Sequence, residues 1–280
     1  MILPFTKMHG LGNDFIVLDF TQQSYPLSAS IAARLANRKT GIGCDQILIV
    51  ETSAKKGIDF KYRILNADGG EVSQCGNGAR CFAVFVREQG LSNKTLLRVE
   101  TNSGVITLDV NPADKSVTVN LGVPVFTPAA IPLRAAQQAL LYTLEVRGES
   151  IEYAALSIGN PHAVIHVDDI NNCDFENLGP TLEAHSVFPE QANIGFMQVL
   201  DQHTIKLRVY ERGVGETMAC GSGACAAVIA GRQRGLLDNC VTARLTGGEL
   251  DIRWDGADSP VIMTGPATSV YHGEIELDNL

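Results

Sequence analysis

The chain has 280 residues and a net charge of −9, from 22 Lys plus Arg against 31 Asp plus Glu, which argues against a phosphate backbone or an anionic membrane as its main partner. Hydrophobic residues at 45% and charged residues at 19% exclude a disordered or fibrous chain, and the length fits two domains. Residues 1–10 hold Pro4, Lys7 and His9 rather than an apolar stretch, no run approaches transmembrane length, and the 7 cysteines are an odd count that makes a poor disulfide framework; a cytoplasmic, reducing location is expected.

In chain order, residues 28–38 read as a surface helix capped by Ser28 or Ser30. Residues 60–65 alternate as a strand and lead into a Gly-rich turn. A helix is expected over 79–89, apolar nearly all round and therefore buried, and stopped by Gly90. Strands follow at 96–101, 105–110 and 116–121, then a proline-rich connection at 123–132. The second half repeats the order: a strand at 204–210, a Gly-rich turn, an apolar helix at 224–234 stopped by Gly235, and strands at 241–245, 249–254 and 261–264. Each half thus reads as a curved β-sheet wrapped around one central helix.

The repetition extends to identities. C-G-N-G-A beginning at Cys75 matches C-G-S-G-A beginning at Cys220, and a shift of 145 gives 11 identities over the 31 positions 61–91, where average usage gives roughly 2. Among them are Lys61 with Lys206, Arg63 with Arg208, and Glu71 with Glu216. A shift of 147 aligns Gly12-Asn13 with Gly159-Asn160, and Gln46 with Asn193. This is one duplication at half length, not a solenoid.

Each repeated cysteine stands where a turn enters a helix. Unpaired N–H groups and the positive helix end favour an anion there, which lowers a thiol toward thiolate, while the glycines let backbone N–H groups approach a carboxylate or phosphate. If the halves face each other across a pseudo-twofold axis, two thiols and two anion cradles converge on one ligand. Inverting a stereocentre by proton transfer needs a base on one face of the carbon and an acid on the other, and a thiolate–thiol pair can exchange those roles. Competing readings are a dithiol redox protein, an anion- or phosphate-binding module, and a zinc site, although neither Cys75/Cys81 nor Cys220/Cys225 has C-x-x-C spacing. Cys44, Cys81, Cys173, Cys225 and Cys240 are expected only to pack.

The segments N-A-D-G-G-E-V-S-Q-C-G-N-G-A-R-C from Asn66 and E-R-G-V-G-E-T-M-A-C-G-S-G-A-C from Glu211 closely resemble the two active-site signatures of the diaminopimelate epimerase family. So do K-M-H-G-L-G-N-D-F from Lys7, G-I-G-C-D-Q from Gly41, G-N-P-H from Gly159 and A-N-I-G-F from Ala192. The resemblance implies an isomerase without cofactor or metal that interconverts LL- and meso-2,6-diaminopimelate, on the way to lysine and peptidoglycan. It implies an α/β fold of the α+β type, with two pseudo-symmetric, β-barrel-like domains at 1–120 plus 266–280 and at 121–265, and the active site in the cleft between them. Cys75 and Cys220 would be the acid/base pair; Gly76, Asn77, Gly221 and Ser222 would hold the reacting carboxylate. Asn13, Gln46, Asn66, Asn160, Asn193, Glu211 and Arg212 would line the rest, with His162 and Glu211 tuning the thiols. Ser222 stands where the family also uses Thr. A homodimer with Tyr271 at its interface is also implied; no nucleic acid or membrane partner is. A proline-type racemase is the nearest alternative, against which Glu211-Arg212 argue, because such a substrate has no distal carboxylate to clamp.

Overall fold

The structure is a computed structural model that describes residues 1–72 and 75–279. Ser73 and Gln74, within the first signature, and Leu280, at the end of the expected first domain, lie outside the described residues. The fold is a mixed α+β architecture dominated by strands, and the chain divides into two compact units, Met1–Asn120 with Thr264–Leu280 and Leu121–Met263.

In the first unit, strand Ile2–Gly10 is flanked antiparallel by Asn13–Asp19 and by Thr268–Glu276. The turn between the first two has Leu11 and Gly12 at φ 56° and 89°, the paired left-handed residues of a tight hairpin, and it fixes where Asn13 begins its strand. Asn13–Asp19 runs parallel to Gln46–Glu51, with helix α1 (Ala29–Ala36) in the crossover, capped by Ser28 Oγ accepting from Ile31 N–H. Leu35, Ile16, Leu18, Ile47 and Ile49 form the core under α1. Gln46–Glu51 then pairs antiparallel with Phe60–Asn66, which lies parallel to Leu96–Thr101 with helix α2 (Gly76–Glu88) as the connection. Every residue from Asn77 to Val86 of α2 is buried, Asn77 and Arg80 included, and the apolar run from Cys81 to Val86 drives this, each Val or Phe contributing about 1.5–3 kcal/mol.

The second unit repeats this order. Pro161–His166 runs parallel to Asn193–Asp201, with helix α3 (Phe175–Glu183) in the crossover. Asn193–Asp201 pairs antiparallel with Thr204–Glu211, which lies parallel to Cys240–Leu245 across helix α4 (Gly221–Gln233). Helix α3 has no counterpart in the expected elements: Gly179 and Pro180 lie inside it. Both break helices in isolation. Here Phe175 holds it, meeting Phe196 edge-on at 5.0 Å and lying under the Arg208 guanidinium at 3.8 Å, and Gly179 lets Tyr210 approach where a Cβ would fall 2.9 Å from its ring.

Both central helices start three residues before the expected 79 and 224, since the Gly-rich segments are their first turns rather than a preceding loop. Their ends are alike: Gly90 and Gly235 adopt φ of 68° and 71°, and the N–H groups of Leu91 and Leu236 close the helices on Val86 O and Gly231 O. The repeated ion pairs are alike too, Arg63 with Glu71 and Arg208 with Glu216. Three of the five cysteines expected only to pack are buried; Cys173 is partly exposed and Cys240 is exposed, because it opens a strand whose alternation turns it to solvent.

Candidate active site

Cys75 is the N-cap of α2 and Cys220 the N-cap of α4. Each is extended in backbone, and each sulfur accepts from the N–H three residues on, Gly78 or Gly223, at 3.4 Å. The glycines are required by close approach: a Cβ on Gly78 would fall 2.3 Å from Tyr62 Oη, and one on Gly223 2.9 Å from Val209 Cγ2. Both helices therefore press their first turns onto the strand before them and set a sulfur at the N–H end of the helix, an arrangement suited to an anion.

In the first unit, the structure brings Asn13, Gly76 and Asn77 together at Cys75, and pairs Gln46 with Asn66 on the strands that follow that of Asn13 in the sheet. Gln46 and Asn66 are cross-strand partners, and Gln46 Nε2 donates to Asn66 Oδ1 at 2.9 Å. Asn77 Nδ2 donates to Asn13 Oδ1 at 3.3 Å, and the Cys75 thiol faces that same oxygen at 3.9 Å. Arg80, wholly buried on α2, donates to Gly76 O and to Pro266 O. The Tyr62 hydroxyl lies buried beneath the first turn, without a hydrogen-bond partner; burial pushes it well above its ordinary range.

In the second unit, Asn160, His162, Asn193, Glu211, Arg212, Gly221 and Ser222 accompany Cys220. Asn160 Nδ2 donates to Ser222 Oγ at 3.3 Å, and Ser222 Oγ lies 3.7 Å from Cys220 Sγ. Asn160 Oδ1 then accepts from His162 Nε2 at 3.0 Å, so that ring nitrogen carries the proton. Asn193 spans two backbones, donating to Pro161 O at 3.0 Å and accepting from Arg212 N–H at 3.1 Å. Thr217 donates to Glu211, and buried Glu183 of α3 accepts from Gly213 N–H at 2.9 Å. The guanidinium of Arg212 donates to Glu190 O at 3.2 Å.

One electrostatic expectation is corrected. The helix start does not by itself make Cys220 a thiolate: burial pushes it well above its ordinary range, and the Glu211 charge adds to that, outweighing the hydrogen bonds from Gly223 and Ser222. Burial, with Arg212 adding repulsion, lowers His162 to about 3, so it is neutral where it donates to Asn160. Tyr271 is 46% exposed, with an edge contact to Phe5.

Sequence reasoning gave no role to Lys7, Asp14, Arg38 and Asp45, which form one charged network against Asn13. The first, second and fourth lie inside the motifs quoted above, and that placement was the available signal. Tyr62 and Glu183 had none. Among the described residues, no group of three or more His, Cys, Asp or Glu side chains is placed to hold a metal, and no helix is long and apolar enough to cross a membrane.

A duplicated α+β fold with a cysteine capping the central helix of each half defines the class. Solved structures share the fold at low identity: a hydroxyproline epimerase from Agrobacterium vitis (TM-score 0.72, 12% identical, covering 98% of this chain and 92% of that one) and a PhzF-family phenazine biosynthesis protein from Bacillus anthracis (TM-score 0.70, 16%, 99% of each). Within that class the sequence is specific. The profile of the family described as diaminopimelate epimerase matches residues 5–127 and 154–270, and the chain belongs to that family. Proteins named diaminopimelate epimerase from Nitrosospira multiformis and Nitrosomonas eutropha are 54% and 55% identical to it, over 99% of this chain and 99% and 100% of their own lengths.

Proposed function

We propose that this protein is an isomerase that interconverts LL- and meso-2,6-diaminopimelate by two-base proton transfer, a step toward lysine and peptidoglycan precursors. One sulfur, as thiolate, takes the α-proton; the other, as thiol, delivers a proton to the opposite face, and the reverse reaction exchanges the roles. The carbanion's charge spreads into the α-carboxylate, where the N–H groups of Gly76-Asn77 and Gly221-Ser222 at the two helix starts stabilise it. The amides of Asn13, Gln46, Asn66, Asn160 and Asn193 suit a substrate bearing two ammonium and two carboxylate groups. Glu211 matches an ammonium, and Arg212 matches the distal carboxylate through two parallel N–H bonds.

The observation that carries this reading is the identical capping of α2 and α4 by a sulfur, in a chain more than half identical to proteins of that name. Incubation with LL- or meso-diaminopimelate in heavy water should place solvent deuterium at the α-carbon of the epimerised product; turnover with full retention of α-protium would refute proton exchange with the thiols. We further propose cytoplasmic location and a homodimer whose contact includes Tyr271, which is exposed beside Phe5. Sedimentation of the Tyr271→Glu variant as a monomer is expected, and an unchanged sedimentation coefficient refutes the contact.

A further inference from the structure

The amide of Asn13 is held from behind. Its Nδ2 donates to Asp45 Oδ2 at 2.9 Å, and Asp45 Oδ2 also accepts from Asp14 N–H at 3.1 Å. Asp14 reciprocates: its backbone O and its Oδ1 accept from Asp45 N–H at 3.0 and 3.1 Å. Arg38 joins the two carboxylates, with Nη1 and Nη2 on Asp14 at 2.9 and 2.6 Å and Nη2 on Asp45 at 2.7 Å. Lys7 closes the network from the opposite side, donating to Asp14 and to Gly43 O. Burial would push Asp14 up, but the hydrogen bonds from Arg38 and Lys7 prevail and hold it well below the usual carboxylate range. The loop carrying Asp45 is thereby fixed against the start of the strand carrying Asn13.

An ionised carboxylate only accepts hydrogen bonds, so Nδ2 of Asn13 must face Asp45 and Oδ1 must face the other way, toward Asn77 and Cys75. The duplicated position supplies the contrast. Asn160 and Ser222 stand where Asn13 and Asn77 stand, but there the amide is reversed, with Nδ2 toward Ser222 and Oδ1 toward His162. Among the described residues no carboxylate bonds to Asn160, and the residue before Asn193, in the place of Asp45, is Ala192.

We propose that Asp45, clamped by Arg38 and Asp14, is a positioning residue that sets the amide of Asn13 so that an acceptor, not a donor, faces the Cys75 sulfur. The proposal rests on Cys75 being one of the two bases. An acceptor there favours S–H and can accept a hydrogen bond from a bound ammonium; a donor would favour the thiolate. Among the described residues, the titratable or charged groups about the start of α2 include Tyr62 from the preceding strand and Arg80 and Cys81 on the helix itself. Lys7 and Arg38 are engaged by Asp14 and Asp45, and Glu88 and Lys115 pair at the helix's far end.

The test is iodoacetamide alkylation of Cys75 in the free protein, followed by mass spectrometry of its peptide across pH, a readout that needs no substrate. Releasing Asn13 in Asp45→Ala lets Nδ2 swing to the sulfur. The Cys75 alkylation rate at pH 7 should rise about three- to tenfold, the worth of one hydrogen bond, and its pH profile should move to lower pH. Asp45→Asn, which keeps the loop bonds but no longer dictates which end of the amide it meets, should move both in the same direction by less. In an Asn13→Ala background, Asp45→Ala should change nothing further. Wild-type rates in both Asp45 variants overturn the proposal, and so does an equal acceleration in the Asn13→Ala background, which would make the effect one of charge acting through space. Either result leaves the deuterium experiment, and hence the epimerase reading, untouched.

Discussion

Cys75 and Cys220 receive the same backbone hydrogen bond at the same 3.4 Å, from glycines at the same place in helices of the same length. The side chains around them do not repeat. Where the second half has Glu211, the first has Asn66; where the first has buried Arg80, the second has Cys225; Tyr62 corresponds to Leu207 and Asn77 to Ser222. The duplicated part is the anion cradle made by backbone. The part that diverged is charge: a buried cation one turn into α2, and a carboxylate beside Cys220. On the proposed mechanism the two sulfurs are acid and base, and such a pair gains from environments that separate their proton affinities, which backbone alone cannot do.

The largest expected effect tests whether the halves are equal partners. Cys75→Ala and Cys220→Ala should each lower turnover about a hundredfold to ten-thousandfold; wild-type turnover by either variant removes that cysteine from the chemistry. Next is a stability difference confined to the second half. Between pH 6.5 and about 3 the unfolded chain binds a proton at His162 that the folded protein excludes, so stability should fall as pH drops through that window, by about 1.4 kcal/mol per unit. Urea titrations at several pH values would show it, and His162→Phe should flatten that slope. The glycines give a smaller contrast. Gly78→Ala should cost about 1–3 kcal/mol by overpacking, more than Gly223→Ala, because its Cβ meets a rigid buried phenol at 2.3 Å rather than a methyl at 2.9 Å; Tyr62→Phe should recover part of the first loss and none of the second. Last, Glu211→Gln should move the pH profile of Cys220 alkylation to lower values by removing one of the influences that raise it, and leave that of Cys75 in place.

What the sequence disclosed was whatever the duplication copied. The offsets of 147 and 145 are one repeat with a connection two residues shorter in the second half, where Asp201 and Thr204 close a tight hairpin and the first half has a longer loop from Thr52 to Asp59. The parallel pairs Phe15 with Gln46 and His162 with Asn193 fall on that repeat. The site asparagines, both cysteines and the glycines lie on it too, so motif and spacing point to them together. Helix α3 was not legible because its stability comes from Phe175 packing on Phe196, a contact 21 residues away, and not from its own Gly179-Pro180 sequence. The Lys7–Asp14–Arg38–Asp45 network was not legible because single charges spread over 38 residues carry no period, and only the parallel pairing of two strands brings them together. The corrected cysteine chemistry has the same origin: the helix start is local and readable, whereas the burial that outweighs it at Cys220 belongs to the tertiary structure.

The choice of sulfur for both caps has a cost in rigidity. Side-chain oxygens of Ser, Asp and Asn are the favoured acceptors at a helix start, and a thiol is a weaker one. The chain thus begins its two most buried helices with an inferior clasp, and it does so twice. The bulk of α2 and α4 is anchored by apolar packing on all sides, so firmness comes from the middle of each helix while its first turn is left for a reactant.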